Sequence, residues 1–394
     1  MAIGHLFFYV SIAVLFYCYA GYGILLFFIN AFTKQFAKKS TEKTTDELPH
    51  VTLIVAAYNE ELIVEQKVIN TLALDYPVEK LSIVFITDGS TDNSVSIIRR
   101  FPGVTLLHED ERKGKYAAIK RAMREVRTPV VVFSDANTIL NSDCINRIVG
   151  HYKNPVIGGV AGEKKILAKP EVGAVGQAEG IYWQYESLLK RLDAGFYTVV
   201  GAAGELFSIR TRLFKEMDDH IILDDFVISM QVCLQGYRIA YEPGAYATET
   251  ASSSLREEEK RKIRISAGAY QSVGYLISCL NIFKYPLLSF QYISRRVLRW
   301  FFCPVSLVIL LVMNIKLVYD QPGVLLFTVL LYAQCFFYLL AFAGWLFLRK
   351  GKRAGLLAIP FYFVFMNYCL VKGFIRFLKK KQTVLWEKSI RQVL

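Results

Sequence analysis

Residues 6–29 (LFFYVSIAVLFYCYAGYGILLFFI) carry no charged side chain. The run exceeds the roughly 20 apolar residues that a helix needs to cross a bilayer. Three further apolar runs close the chain, at about 301–319, 323–348 and 355–378. Between the two apolar ends lies a middle of ordinary mixed composition. This layout excludes a single soluble globule, because one modest core cannot cover so much apolar surface. With 54% hydrophobic residues and 21% charged ones, a disordered or fibrous chain is excluded as well.

The flanking charges set an expected topology. A cleaved signal peptide is disfavoured for 6–29, since the apolar run is too long and no basic stretch precedes it. Lys34, Lys38 and Lys39 follow at once, so the positive-inside rule puts the N-terminus outside and the middle in the cytoplasm. Arg295, Arg296 and Arg299 precede the second run, Tyr319–Gly323 makes a turn after it, and Lys350, Lys352 and Arg353 follow the third. These signs fit in-to-out, then out-to-in. The last run would then carry the basic tail (Lys379, Lys380, Lys381, Lys388, Arg391) outside, against the rule. Either the tail is an exception or one segment does not span; four spans with an external C-terminus is the expectation.

The middle alternates between β and α patterns. Strands are expected at 51–57 (VTLIVAA), 82–87 (SIVFIT), 104–107 and 130–134, with helices at about 61–73, 92–100 and 115–126. Strands separated by 10–15-residue helices predict βαβ units and a mostly parallel sheet. Ligands bind such sheets beyond the carboxyl ends of the strands. Asn59-Glu60-Glu61, Asp88 and Asp135-Ala136-Asn137 all sit at such ends, which points to one polar site.

Other chemistries find little in the residues. The seven cysteines form no C-x-x-C pair and the five histidines are scattered without H-E-x-x-H, so a zinc site or disulfide framework is unsupported. Arg112-Lys113-Gly114-Lys115 lacks the upstream Gly and following Ser/Thr of a phosphate loop, and no G-x-G-x-x-G opens the first helix. The formal charge is +13, yet no nucleic-acid module accompanies it. The run Lys260-Arg261-Lys262-Ile263-Arg264 reads as a basic cluster facing the inner leaflet.

Taken in order and spacing, these motifs resemble the membrane-embedded family 2 glycosyltransferases, which include hyaluronan, chitin, cellulose and poly-N-acetylglucosamine synthases. The resemblance covers about residues 50–300 and the flanking helices. It implies an α/β fold: a GT-A (Rossmann-like) cytosolic glycosyltransferase domain flanked by transmembrane helices. VTLIVAAYNEE (51–61) resembles the first nucleotide-binding strand and turn, with Tyr58 and Glu60 near the nucleotide. ITDGSTDNS (86–94) resembles the second, with Asp88 on the uracil, although Asp88 could also cap the following helix. In ERKGKYAAIKRAM (111–123), Lys113 and Lys115 would face the diphosphate, or form a solvated basic turn. FSDANT (133–138) stands where the family has D-x-D. That resemblance implies Asp135 as a ligand of Mg²⁺ or Mn²⁺ and Asn137 as a weaker one, since an amide oxygen replaces the second carboxylate.

On the acceptor side, EGIYWQYE (179–186) is similar to an aromatic segment that would put Trp183 and Tyr185 on a sugar ring, or in plain core packing. GAAGELFSIR (201–210) resembles the acceptor-site turn, with Gly204 and Glu205. ILDDF (222–226) falls where the family carries T-E-D, which makes Asp225 the base that accepts the attacking hydroxyl's proton and Asp224 its carboxylate neighbour; a helix cap is the bland alternative. RRVLRW (295–300) resembles Q-x-x-R-W on a membrane-face helix. It would put Arg296, Arg299 and Trp300 beside the diphosphate, with lipid anchoring as the other use of those charges.

The implied organisation is an N-terminal transmembrane helix (1–32), a cytosolic GT-A domain (48–264), amphipathic interface helices (265–300), C-terminal transmembrane helices (301–378) and a basic tail (379–394). The implied activity is inverting transfer from UDP-glucose or UDP-N-acetylglucosamine to a growing polysaccharide, coupled to translocation across a bacterial-type inner membrane. Single-sugar transfer to a polyprenyl-phosphate or other lipid-linked acceptor is the alternative. A divalent cation (Mg²⁺ or Mn²⁺), a UDP-sugar, a glycan or lipid-linked acceptor and the lipid bilayer are the implied partners. Accessory subunits or a homo-oligomer are compatible with the resemblance, and nucleic acid is not.

Overall fold

The computed structural model describes residues 2–36, 47–167, 174–250, 252, 254–381 and 383–385. The charges Lys38, Lys39, Lys388 and Arg391, used above for topology, lie outside these residues. The strands are β1 (Val51–Ala57), β2 (Leu81–Asp88), β3 (Thr105–Glu109), β4 (Val130–Asp135), β5 (Ile139–Leu140), β6 (Ile157–Leu167), β7 (Leu206–Arg210) and β8 (Arg238–Thr250). They form one sheet in the order β3-β2-β1-β4-β7-β6-β8-β5.

β1 shows why this half of the sheet forms. All seven of its residues are buried, as expected of a strand covered on both faces. Ile54 and Ala56 point into one core with Tyr116, Ala118, Ile119 and Ala122 of the helix Lys115–Met123. Val51, Leu53, Val55 and Ala57 point into the other, with Val64 and Val68 of the helix Val64–Leu72. The period-2 alternation of a strand therefore feeds two separate apolar layers.

β1 pairs in parallel with β2 and β4, and β2 with β3. Ala57 lies opposite Thr87, and Ala56 opposite Asp135. The register thus delivers Tyr58–Glu61, Asp88 and Asp135–Asn137 to one edge of the sheet. The expectation of a mostly parallel sheet extends beyond this half, since β6 pairs in parallel with β8; the exceptions among the described strands are β7 and β5. β7 runs antiparallel to β4 and β6, and β5 antiparallel to β8. The antiparallel strand has a consequence for the site: Leu206, at the start of β7, pairs with Ser134 at the end of β4. Gly204 and Glu205 therefore arrive beside Asp135.

Among the described residues, four helical segments are long and apolar enough to cross a membrane: Ile3–Thr33, Pro286–Asp320, Leu325–Arg349 and Gly355–Leu378. Each exposes large apolar side chains, among them Phe28, Val308, Leu339 and Ile359, which water would not favour. The helix Leu255–Tyr275 packs on the last of them. Their approach is close: a Cβ at Gly373 would lie 2.4 Å from Ser266 Cβ.

RRVLRW is not a separate helix. It belongs to the continuous helical segment Pro286–Asp320. Arg295 and Arg299 are buried, because Glu186 and Asp193 of the helix Ala174–Phe196 meet them in ion pairs.

Candidate active site

A cavity of about 510 Å³ opens beyond the carboxyl ends of β1 and β4. Tyr58, Glu60, Lys115, Asp135 and Asn137 line it, together with Gly204, Glu205, Asp224 and Asp225. Arg261 and Arg264 of the helix Leu255–Tyr275 close it from above, with Arg376 from the end of the last membrane-length helix. Residues 383–385 complete the rim.

Three charged groups converge on one point. Lys115 Nζ donates to Asp135 Oδ1 at 2.6 Å. A Cβ at Gly204 would lie 2.8 Å from Lys115 Nζ, 3.2 Å from Asp225 Oδ2 and 3.6 Å from Asp135 Oδ1. Glycine is thus what leaves these groups room at this turn. Burial opposes the charge on Lys115, but Asp135, Asp224 and Asp225 outweigh it and raise the lysine's pKa. Burial also raises Asp135, against the pull of Lys115. The short contact with a protonated lysine favours the ionised carboxylate there.

Asp224 and Asp225 open the helix Asp224–Leu234, where backbone N–H groups favour negative charge. Asp225 Oδ1 accepts from the Phe226 N–H at 2.8 Å, leaving Oδ2 toward Gly204. Burial, then the neighbouring Asp224, push the Asp225 pKa up to about 7, with Lys115 the opposing influence. A carboxylate poised there is half-ionised near neutral pH, the condition for a general base. Asp224 is itself buried, and its Oδ2 has no hydrogen-bond partner among the described residues.

Asp88 lies behind the cavity rather than on its wall. Its two carboxylate oxygens accept from the Lys113 and Gly114 N–H groups, each at 2.8 Å, so it shapes the loop leading into Lys115. Arg112 of that loop stacks over the Tyr58 ring at 3.7 Å. Lys113 reaches Glu111 at 2.8 Å.

The residues at the end of β4 fit a hard divalent cation. Asn137 Nδ2 donates to Glu249 at 3.2 Å, while Asn137 Oδ1 is buried with no partner among the described residues. That orphaned amide oxygen, on the same wall as the Asp135 carboxylate, is the donor type that Mg²⁺ or Mn²⁺ takes. No group of three or more His, Cys, Asp or Glu able to hold a metal occurs among the described residues. An ion here would therefore need phosphate oxygens and water to complete its shell. Lys164 is buried between Glu205, at 2.5 Å, and Glu249, and pairs with both carboxylates.

The other residues singled out by the sequence are directed elsewhere. Trp183 Nε1 donates to Glu179 at 3.3 Å, and the ring sits among Lys164, Lys190 and Lys262. Tyr185 donates to the Tyr19 carbonyl at 3.0 Å, toward the first apolar helix. Arg299 pairs with Glu186 at 2.6 Å, Arg296 donates to the Val200 carbonyl at 2.8 Å, and Trp300 packs on Phe226. None of these five lines the cavity.

Arg264 does line it, and Asp224 is the acidic group that most offsets the effect of burial on its pKa. The run 260–264 is not a face turned to the leaflet. Lys262 is buried, and Arg261 reaches Glu179 at 2.7 Å and Glu258 at 3.0 Å. One signal could have found Arg264: Arg261 and Arg264 have the spacing of the Gln and Arg in Q-x-x-R-W, with Ile265 at the Trp position.

The sheet, the cavity at its switch from parallel to antiparallel pairing, and the flanking helices define a GT-A glycosyltransferase fold. The mannosyltransferase PcManGT from Pyrobaculum calidifontis, solved in complex with GDP-Man and Mn²⁺, shares that fold. Its TM-score is 0.67 at 22% identity, covering 95% of this chain and all of that one. Residues 52–217 match the model for glycosyl transferase family 2. The poly-beta-1,6-N-acetyl-D-glucosamine synthase of Staphylococcus aureus is 28% identical over 261 residues, 63% of this chain and 61% of the relative. That of Staphylococcus epidermidis is 25% identical over 233 residues, 56% of this chain and 55% of the relative. The chain thus spans about three-fifths of the length of the curated relatives it matches.

Proposed function

We propose that the protein transfers a sugar, with inversion, from a UDP-sugar to a hydroxyl of a growing glycan. The single observation that carries this reading is the convergence of Asp135, Lys115 and Asp225 on one cavity, with Asp225 raised to about 7. The named activity of the staphylococcal relatives favours UDP-N-acetylglucosamine over UDP-glucose as donor.

In this reading Asp225 Oδ2 accepts the proton of the acceptor hydroxyl as that oxygen bonds to the anomeric carbon. The bond from the anomeric carbon to the diphosphate breaks on the opposite side, and its electron pair leaves with the diphosphate oxygen. Asp224 keeps the Asp225 proton affinity high enough for that transfer. Lys115 orients Asp135, and Arg264 with Arg376 gives the diphosphate cationic partners across the cavity, the forked donor suiting a phosphate. Asp135 and Asn137 would hold a divalent cation, Mg²⁺ or Mn²⁺, whose chemistry is to neutralise charge on the departing diphosphate. Asp88 supports the nucleotide side through the 112–114 loop.

The proposed organisation keeps a catalytic unit over 48–264 on the cytosolic side of a bacterial-type inner membrane, with helices at both ends bordering the product's path. A second reading, transfer of one sugar to a lipid-linked phosphate, is favoured by Arg376, which reaches the cavity from a helix of membrane length. Detergent-purified protein should be offered a panel of radiolabelled nucleotide sugars with Mg²⁺ or Mn²⁺, followed by size and linkage analysis. Long polymer supports the first reading and a lipid-extractable monoglycosylated product the second. No nucleoside diphosphate release with any donor overturns both.

A further inference from the structure

Lys67 is fully buried and does not line the cavity. It projects from the helix Val64–Leu72 beneath the end of β4. Its Nζ donates to Ser134 Oγ at 2.8 Å, the Thr138 carbonyl at 2.9 Å and Thr138 Oγ1 at 3.2 Å. An ammonium has three N–H groups and no lone pair, so these three acceptors use it completely. No carboxylate touches it among the described residues, although Asp135 acts on it through space. A buried lysine kept without an ion-pair partner is an expensive way to fill space.

The consequence lies in the two hydroxyls. Burial lowers the Lys67 pKa to about 7 against the pull of Asp135; in its charged form the nitrogen only donates, so Ser134 and Thr138 accept from it and send their own protons onward. Thr138 Oγ1 then donates to the Asp135 carbonyl at 2.9 Å. Ser134 Oγ donates to the Glu205 carbonyl at 3.0 Å. One buried nitrogen thereby fixes hydroxyl rotors that tie the Asp135–Thr138 turn to the Gly204–Glu205 turn.

We propose that Lys67 is a positioning residue: through Ser134 and Thr138 it locks the turn carrying Asp135 and Asn137 into the geometry that binds a divalent cation. The proposal rests on reading Asp135 as a cation ligand. Residues that hold metal ligands in place typically change metal affinity 10–100-fold when removed.

The test is Mn²⁺ titration of the detergent-purified chain in the presence of saturating UDP, followed by electron paramagnetic resonance, with thermal unfolding of every variant. Asp135→Ala is the control for the underlying reading. If it keeps the parent's Mn²⁺ affinity, that reading and the proposal fall together. Where Asp135→Ala abolishes binding, Lys67→Met is expected to weaken it at least tenfold, with donor KM rising more than kcat falls. Thr138→Val, which keeps the side-chain shape and removes only the relay hydroxyl, is expected to weaken it about fivefold. A folded Lys67→Met protein with Mn²⁺ affinity within twofold of the parent overturns the proposal. Should Lys67→Met fail to fold, Thr138→Val decides by the same twofold criterion.

Discussion

Lys115 Nζ donates to Asp135 Oδ1 at 2.6 Å, and the same ammonium feels Asp224 and Asp225 across the cavity. One cation therefore serves three carboxylates, and this wall keeps an excess of negative charge. Such a wall favours a metal ion and a sugar hydroxyl over a bare anion. A diphosphate would need positive partners of its own, and Arg264 and Arg376 also line the cavity.

The raised pKa of Asp225 predicts the pH dependence. A base titrating near 7 makes kcat/KM rise between about pH 6 and pH 8 and then level off. Asp224→Asn removes one cause of the upward shift, so the rising limb should move to lower pH. A pH–rate profile of both proteins checks this, and an unmoved limb would separate Asp224 from the titration.

The same shift acts on stability with a defined sign. Between the unfolded value of about 3.9 and about 7, folded Asp225 binds more protons than the unfolded chain does. Its contribution is complete below the unfolded value and is lost as pH rises toward 7. Asp225→Asn should therefore flatten the fall in melting temperature over that window, read by thermal unfolding at stepped pH.

Gly204→Ala separates geometry from stability. The new Cβ would sit 2.8 Å from Lys115 Nζ and 3.2 Å from Asp225 Oδ2. The end of a lysine can move aside, so the fold should lose about 1 kcal/mol or less. Turnover should fall on the order of tenfold to a hundredfold, because the groups it displaces are those that must be aligned. Steady-state kinetics beside thermal unfolding tests the split.

Arg264 and Arg299 should behave oppositely. Arg264→Ala is expected to weaken nucleoside diphosphate binding about tenfold, one charge-assisted contact being lost, with melting unchanged. Arg299→Ala takes the 2.6 Å partner from the buried Glu186, which keeps Arg295, and should cost about 1–3 kcal/mol of stability. Nucleotide titration with thermal unfolding measures both. Weaker nucleotide binding by Arg299→Ala at an unchanged melting temperature would return RRVLRW to the site.

The parallel half of the sheet was legible because each strand is a β-branched run ending in polar residues, and strand direction alone then gathers those ends. The antiparallel strands were not, since no pattern in 201–210 reveals that β7 returns against β4. Asp135, Asn137, Gly204 and Asp225 carry recognisable neighbours. Arg264 hides in a run of basic residues whose Trp-equivalent position holds Ile265, and RRVLRW offers a better string in the wrong place. A short string specifies side chains, whereas burial against Glu186 and Asp193 decides where they point. Lys67 has no local signal at all, because its partners are about 70 residues away in sequence.

The most direct measurement is turnover against nucleotide binding in Asp225→Asn, using the donor that the parent consumes. The amide keeps the shape and cannot accept the proton, so kcat should fall by about a thousandfold or more while UDP affinity stays within twofold. An Asp225→Asn protein that releases nucleoside diphosphate near the parent's rate would contradict the assignment of the base and, with it, the mechanism.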